Sequence, residues 1–123
     1  MSNTFQPLAG LRPYELRDGV FARALKGERM TLAVVDLKPH ATVPEHSHEN
    51  EQLGFILHGS MSFTIGGEER ELHAGDTYVI PSNVPHVAVA GREGCTAVDA
   101  FAPGRADWEK LDRPDPFPPD WPG

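Results

Sequence analysis

Two stretches decide the fold of this chain: residues 46–59 read HSHENEQLGFILHG, and residues 75–86 read GDTYVIPSNVPH. In the first stretch His46 and His48 are separated by one residue, which places both imidazoles on one face of a strand. Neutral imidazole is a common protein ligand of zinc, iron, nickel and manganese ions. Two histidines alone do not form a stable site, so the neighbouring sequence must supply further donors.

The composition favours strands over helices. The chain has 123 residues, which fits one domain, and 12 Gly and 12 Pro together make up about a fifth of it. Short apolar runs alternate with turn signals such as Gly66-Gly67, a two-residue hairpin signal. This pattern predicts about nine short strands, with only Arg105–Leu111 weakly helical. We therefore predict an all-β, single-domain antiparallel jelly roll or barrel.

Three zones differ in composition along the chain. Residues 1–15 mix Pro, Gly and polar residues and are predicted to form an extended N-terminal arm. Residues 16–102 hold the alternating apolar runs and are predicted to form the barrel. Residues 103–123 are rich in proline, which excludes a regular helix or a central strand. We expect this tail to be extended and held to the surface by Phe117 and Trp121.

Charge and hydropathy exclude several classes of partner. The formal net charge of −7 argues against nucleic acid or an anionic membrane as the main partner, because both require a basic patch. No apolar run approaches the roughly 20 residues that span a bilayer, and residues 1–10 do not resemble a signal peptide. Cys95 is the single cysteine, so no intrachain disulfide forms. These features predict a cytoplasmic protein. They do not exclude a small anionic substrate, because one buried arginine can outweigh the overall negative charge locally.

The spacing of the two stretches resembles the two motifs of the cupins, His-x-His-x(3,4)-Glu-x6-Gly and Gly-x5-Pro-x-Gly-x2-His. The first motif ends here at Gly59, and the second runs from Gly75 through Pro81 to His86. The resemblance covers residues 40–90 and implies a jelly roll that holds a divalent metal ion. The residues do not distinguish zinc, nickel, manganese and iron.

Two positions depart from these motifs. Asn83 stands where most cupins have Gly, and Asn also accepts a left-handed backbone. Gln52 stands where most cupins have Glu; Glu51 is the rival donor, but it lies one residue out of register and faces the other side of a strand. A neutral amide makes dioxygen chemistry less favourable than a carboxylate would, because it stabilises higher oxidation states less. The resemblance thus implies a set of four metal ligands: His46, His48, Gln52 and His86.

The last predicted strand carries a second group of polar residues. Asp99 and Phe101 share one face of that strand, and Arg105 follows shortly after it. A carboxylate inside a small barrel is costly unless it is paired or functional. The alternative is an outward Asp99 that forms a surface ion pair with Arg105.

Together with the histidines, this segment resembles the pectin-degradation cupins of the KdgF type over about residues 20–108. That resemblance implies that Asp99, Phe101 and Arg105 line a pocket in which 4,5-unsaturated monouronates are converted to linear ketouronates. Arg105 would bind the carboxylate, Asp99 would act as a general acid or base, and Phe101 would form an apolar wall. Two other functions remain open: a metal-bound cupin that binds or senses a small sugar acid without turnover, and an oxygenase or cyclase acting on another oxygen-rich substrate.

One strand also predicts an oligomer. In Gln52–His58 the face opposite Gln52 carries Leu53, Phe55 and Leu57, all large and apolar. Because that face must be covered as well, we predict a homodimer.

Overall fold

The structure, a computed structural model, describes residues 4–122 and is built almost entirely of antiparallel strands. Within the described residues the two helices, at Leu8–Gly10 and Ala106–Lys110, are short 3-10 turns. Neither is long and apolar enough to cross a membrane. The strands are β1 (Tyr14–Arg17), β2 (Val20–Lys26), β3 (Thr31–Leu37), β4 (Thr42–His46), β5 (Glu51–Ile65), β6 (Glu68–His73), β7 (Thr77–Ile80) and β8 (His86–Ala102).

The two long strands, β5 and β8, organise the whole molecule. They pair along their lengths, from Glu51 opposite Ala102 to Ile65 opposite His86. The first half of β5 also pairs with β7, and the second half of β8 with β3, which continues to β2 and β1. The other halves pair with β6 and β4. The two long strands therefore belong to both layers of a jelly roll.

The predicted all-β antiparallel jelly roll is confirmed, but the sheet is open rather than a closed barrel. Its strand order runs β1-β2-β3-β8-β5-β6, and no pairing among the described residues joins β1 to β6. Apolar side chains of the two layers face each other and form one core between them.

The prediction of nine strands was wrong because two predicted breaks are bends inside continuous strands. Residues 52–58 and 61–65 join in β5, and residues 84–90 and 95–101 join in β8 from His86 onwards. Gly59 and Gly94 take φ values of +78° and +79° at these bends, a left-handed conformation that favours glycine. In addition, β1 forms at residues 14–17, across the limit predicted between the arm and the barrel.

The proline-rich tail lies against the outer face of β2 and β3. Arg23 and Asp36 form a buried ion pair on that face, with Nη1 and Oδ2 3.2 Å apart. Nη2 of Arg23 donates to the carbonyl of Phe117 at 2.5 Å, and the Phe117 ring packs edge-on against Phe21. Thr96 donates to the other oxygen of Asp36 at 2.8 Å. These contacts satisfy both carboxylate oxygens of Asp36 and both Nη atoms of Arg23, which the tail removes from water, while Nε of Arg23 has no partner among the described residues.

The bend at Gly59 generates a stability prediction. A Cβ atom at Gly59 would lie 2.1 Å from the carbonyl oxygen of Gly94, whereas a Cβ atom at Gly75, also at positive φ, would meet nothing within 4 Å. Gly75→Ala should therefore cost only the conformational strain, about 1–2 kcal/mol. Gly59→Ala must also displace backbone, and we expect its free energy of unfolding to fall by at least about 2 kcal/mol more. Urea denaturation of both variants measures this; equal losses would contradict the account of the bend.

Candidate metal centre and pocket

Three histidines from two distant parts of the sequence meet at one end of the jelly roll. His46 ends β4 and His86 begins β8, and the pairing of these strands places the two residues opposite each other. His48 follows in the next loop. The ring centroids are 4.2 Å apart for His46 and His86, 4.9 Å for His48 and His86, and 5.6 Å for His46 and His48. One ring nitrogen from each histidine lies within 4.8 Å of the others.

Backbone carbonyls fix the orientation of all three rings. Nδ1 of His46 lies 2.9 Å from the carbonyl of Pro44, Nδ1 of His48 lies 2.9 Å from that of Asn50, and Nδ1 of His86 lies 2.9 Å from that of Val84. A carbonyl only accepts, so each Nδ1 carries the proton and each Nε2 keeps its lone pair. Nε2 of His48 is buried and makes no hydrogen bond to the part of the chain that the structure describes. Such an orphaned acceptor, in a ring held by a backbone carbonyl, is typical of a metal ligand.

Burial also favours the neutral form of His48 and His86. It lowers the pKa of His86 to about 4, and it lowers the pKa of His48, with the positive charge of Arg105 adding to the effect. A metal ligand must be unprotonated, so both rings are ready to coordinate at neutral pH. The cluster is thus compatible with a divalent metal ion.

Gln52 and Glu51, which are adjacent on β5, lie in different environments. Gln52 is buried, lines the cavity beside the histidines and adjoins His48. Glu51 is exposed and does not belong to the histidine cluster. Nε2 of Gln52 donates to Oδ1 of Asp99 at 3.0 Å, so its amide oxygen is directed away from Asp99.

Asp99 points into the molecule rather than to the surface. It is buried in the cavity wall, and Oδ1 also accepts a hydrogen bond of 2.7 Å from the hydroxyl of Tyr78. Burial raises the pKa of Asp99 to about 6, against the opposing effect of the hydrogen bonds from Tyr78 and Gln52 and of the charge of Arg105. The surface ion pair between Asp99 and Arg105, the alternative considered from the sequence, does not form.

Arg105 pairs instead with Asp107, two residues further on. Nε and Nη2 of Arg105 donate to the two carboxylate oxygens of Asp107 at 3.0 and 2.9 Å. The guanidinium carbon lies 4.8 Å from the ring centroids of both Phe101 and Trp108. The two rings pack against the guanidinium of Arg105, and Asp107 binds one of its edges. The Arg105 side chain is therefore only 11% exposed. The remaining edge, with Nη1, makes no hydrogen bond to a described residue.

Most of the polar groups of this site, though not His48, line one cavity of about 400 Å³ between the two layers. Its remaining walls are largely apolar. Phe101 is buried there, and its ring centroid lies 5.9 Å from that of His48. The polar residues that line it include His46, Gln52, His86, Asp99, Arg105, Asp107 and Tyr78.

Tyr78 and Asp107 did not emerge from the sequence analysis. Tyr78 shares strand parity with Ile80, which is fully buried, so alternation along β7 could have placed it inward. Its contact with Asp99 depends on the register of three strands, and no local pattern shows that. Asp107 follows Arg105 too closely to be distinguished from a surface charge by spacing alone.

Similarities in sequence and in structure point to the same protein family. A family model described as cupin domain matches residues 33–101. The pectin degradation protein KdgF of Dickeya dadantii is 31% identical over 96 residues, which cover 76% of this chain and 87% of that protein. The structure of KdgF from a Halomonas species superposes with a TM-score of 0.78 at 25% identity, covering 86% of this chain and 98% of the other. An RmlC-like cupin from Shewanella frigidimarina, 23% identical, has the same fold, with a TM-score of 0.80 and coverage of 87% and 96%.

The histidine cluster predicts a measurable loss of metal affinity. We expect His86→Ala to weaken binding of a divalent ion by at least about 100-fold, because it removes a ligand rather than a supporting group. His58→Ala is the matched control, since His58 is exposed and outside the cluster. Competition with a chelator, read by elemental analysis of the protein, measures both. Equal affinity in the two variants would contradict the assignment of the cluster as the metal centre.

Proposed function

Because the chain belongs to the cupin family, we propose that it is a metal-dependent isomerase that opens the ring of small 4,5-unsaturated monouronates to give linear ketouronates. The observation that carries this proposal is the placement of Asp99, buried and with a raised pKa, in one cavity with His46, His86 and Arg105. His48 completes the histidine cluster beside that cavity. The similarity to KdgF proteins supports the choice of substrate.

The metal ligands in this proposal are His46, His48, His86 and Gln52. The three Nε2 atoms have free lone pairs, and the amide oxygen of Gln52 is turned away from Asp99. Four neutral donors of this kind suit zinc, nickel, manganese or iron as the divalent ion. When bound, the ion supplies Lewis-acid polarisation of substrate oxygens, undiminished by any carboxylate ligand.

In this proposal Arg105 binds the carboxylate of the substrate. A guanidinium can accept one carboxylate on each of two edges. Asp107 occupies the edge formed by Nε and Nη2, which leaves the edge with Nη1 for a ligand. Phe101 and Trp108 fix the plane of the guanidinium, so the free edge keeps one orientation. Phe101 also forms an apolar wall of the cavity.

In this proposal Asp99 transfers the proton that ring opening requires. In the reaction the hemiacetal hydroxyl at C1 loses its proton, and the bond between C1 and the ring oxygen breaks. The ring oxygen then becomes the carbonyl oxygen at C5, and C4 gains a proton. No atom is gained or lost overall: the proton lost by the C1 hydroxyl balances the proton gained at C4, and in this proposal Asp99 exchanges a proton with the substrate. A carboxyl group with a pKa of about 6 exchanges protons readily near neutral pH.

We also infer that a second copy of this chain covers the outer face of the sheet. Outward side chains form a row in register across β2, β3, β8, β5 and β7. Its large members are well exposed: Leu53 at 49% and Val79 at 58%, with Phe55 alongside at 40%. An exposed apolar row of this kind fits a self-complementary partner. The row consists of Leu25, Leu32, Ala100, Leu53 and Val79.

The proton-transfer role of Asp99 predicts a slow but folded variant. We expect Asp99→Asn to lower the rate by about 10²–10⁴, because the amide keeps the shape but cannot exchange the proton. Anaerobic ultraviolet monitoring of 4,5-unsaturated galacturonate follows the loss of the conjugated chromophore, with a protein-free blank as the control.

Two results would contradict the proposal in different ways. Decay that matches the blank with fully metal-loaded wild-type protein would refute the substrate and favour a sugar-acid binder. Oxygen consumption by iron-loaded protein would favour an oxygenase. Undiminished turnover by Asp99→Asn would instead refute the role of that residue.

The proposed dimer interface predicts that a substitution within the apolar row lowers the molecular mass of the protein in solution. We expect the wild-type protein to sediment as a dimer and Leu53→Glu to sediment as a monomer, because a charge within the apolar row cannot be buried there without a partner. Val89→Glu is the matched control: Val89 is also exposed and apolar, but it lies outside the row. A monomeric wild-type protein, or a dimer that survives Leu53→Glu, would contradict this interface.

A further inference from the structure

Both described hydrogen bonds to the Asp99 side chain reach the same oxygen. The hydroxyl of Tyr78 donates to Oδ1 at 2.7 Å, and Nε2 of Gln52 donates to Oδ1 at 3.0 Å. Oδ2 accepts no hydrogen bond from the described residues, and it is not among the buried unpartnered side-chain atoms. Since Asp99 lines the cavity, Oδ2 is the oxygen left for a ligand.

The pairing of three neighbouring strands, β7, β5 and β8, brings Tyr78 and Asp99 together. Gly54 on β5 lies opposite Asp99 on β8 and opposite Tyr78 on β7. A Cβ atom at Gly54 would lie 2.4 Å from Oδ1 of Asp99 and 2.6 Å from the Tyr78 ring. The absent side chain of Gly54 is therefore what lets Tyr78 reach across β5 to Asp99.

The hydroxyl of Tyr78 has a different role from its ring. The ring packs edge-on against Phe63, with centroids 4.9 Å apart, and phenylalanine would keep that contact. Burial, and then the negative charge of Asp99, hold the pKa of Tyr78 far above its usual range, so the hydroxyl keeps its proton and remains a donor.

We propose that Tyr78 is a positioning residue: its hydroxyl, together with the amide of Gln52, holds Oδ1 of Asp99 so that Oδ2 faces the substrate. This inference rests on the proton-transfer role proposed for Asp99. It also assigns Gln52 two tasks, because the same amide binds Asp99 through Nε2 and offers its oxygen to the metal. The metal centre and the proton-transfer group are thereby connected through one side chain.

The test is Tyr78→Phe, which removes one oxygen atom and keeps the packing. We expect kcat for 4,5-unsaturated galacturonate to fall about 10- to 100-fold, the range for loss of one hydrogen bond to a charged group. KM and metal content should stay within about twofold, because neither the carboxylate site nor the metal ligands change. Tyr14→Phe is the matched control: Tyr14 is the other tyrosine of the chain, equally buried, and its hydroxyl bonds Lys26 outside the cavity.

A crystal structure of each variant supplies a readout that does not depend on activity. We expect the Asp99 carboxylate to rotate in Tyr78→Phe and to keep its orientation in Tyr14→Phe. An unchanged kcat, or a fall in thermal stability alone, would overturn the positioning role. If the wild-type protein does not accelerate the reaction, the proposed function fails, and the crystal structures then decide this inference: an unrotated carboxylate overturns it and a rotated one supports it.

Discussion

The continuous pairing of β5 with β8 is the constraint on which the rest of the structure depends. One end of this ladder sets Gln52 opposite Phe101 and Gly54 opposite Asp99, and the other end sets Ile65 opposite His86. Because both strands bend near Gly59 and Gly94, the two ends face each other across the core instead of lying in one plane. A ligand from each layer can then reach the same cavity. The bend is possible because two glycines take a conformation that other residues adopt only with strain.

Hydrogen bonds fix the orientation of the polar groups at this site. Backbone carbonyls accept a hydrogen bond from Nδ1 of each histidine and leave its Nε2 free. Asp107 binds one edge of the Arg105 guanidinium and leaves another edge free. Tyr78 and Gln52 both donate to one carboxylate oxygen of Asp99. Buried polar groups must be satisfied, and here each is satisfied on one side only. The unsatisfied sides supply the functional surface that we assign to a metal ion and a small acid.

The sequence predicted those features that depend on local spacing and strand parity. The histidine spacings and the two motif glycines led to the jelly roll, and Asn83 does take a left-handed backbone, with φ of 65°. Parity separated Gln52 from Glu51, and the structure places the first in the cavity and the second in solvent. Features that depend on register between distant strands were not predictable in this way. The contact between Tyr78 and Asp99 and the bends that merge four predicted strands into two belong to this group.

A crystal structure of the metal-loaded protein with galacturonate, a saturated acid that cannot react, tests the central claim most directly. Anomalous scattering at the absorption edge of the bound metal locates the ion independently of any assumption about its ligands. The account predicts one ion bonded to Nε2 of His46, His48 and His86 and to the amide oxygen of Gln52, with the sugar carboxylate on the free edge of Arg105 and Oδ2 of Asp99 facing the ring. An ion bound elsewhere or through Glu51, or an acid whose carboxylate lies away from Arg105, would contradict it.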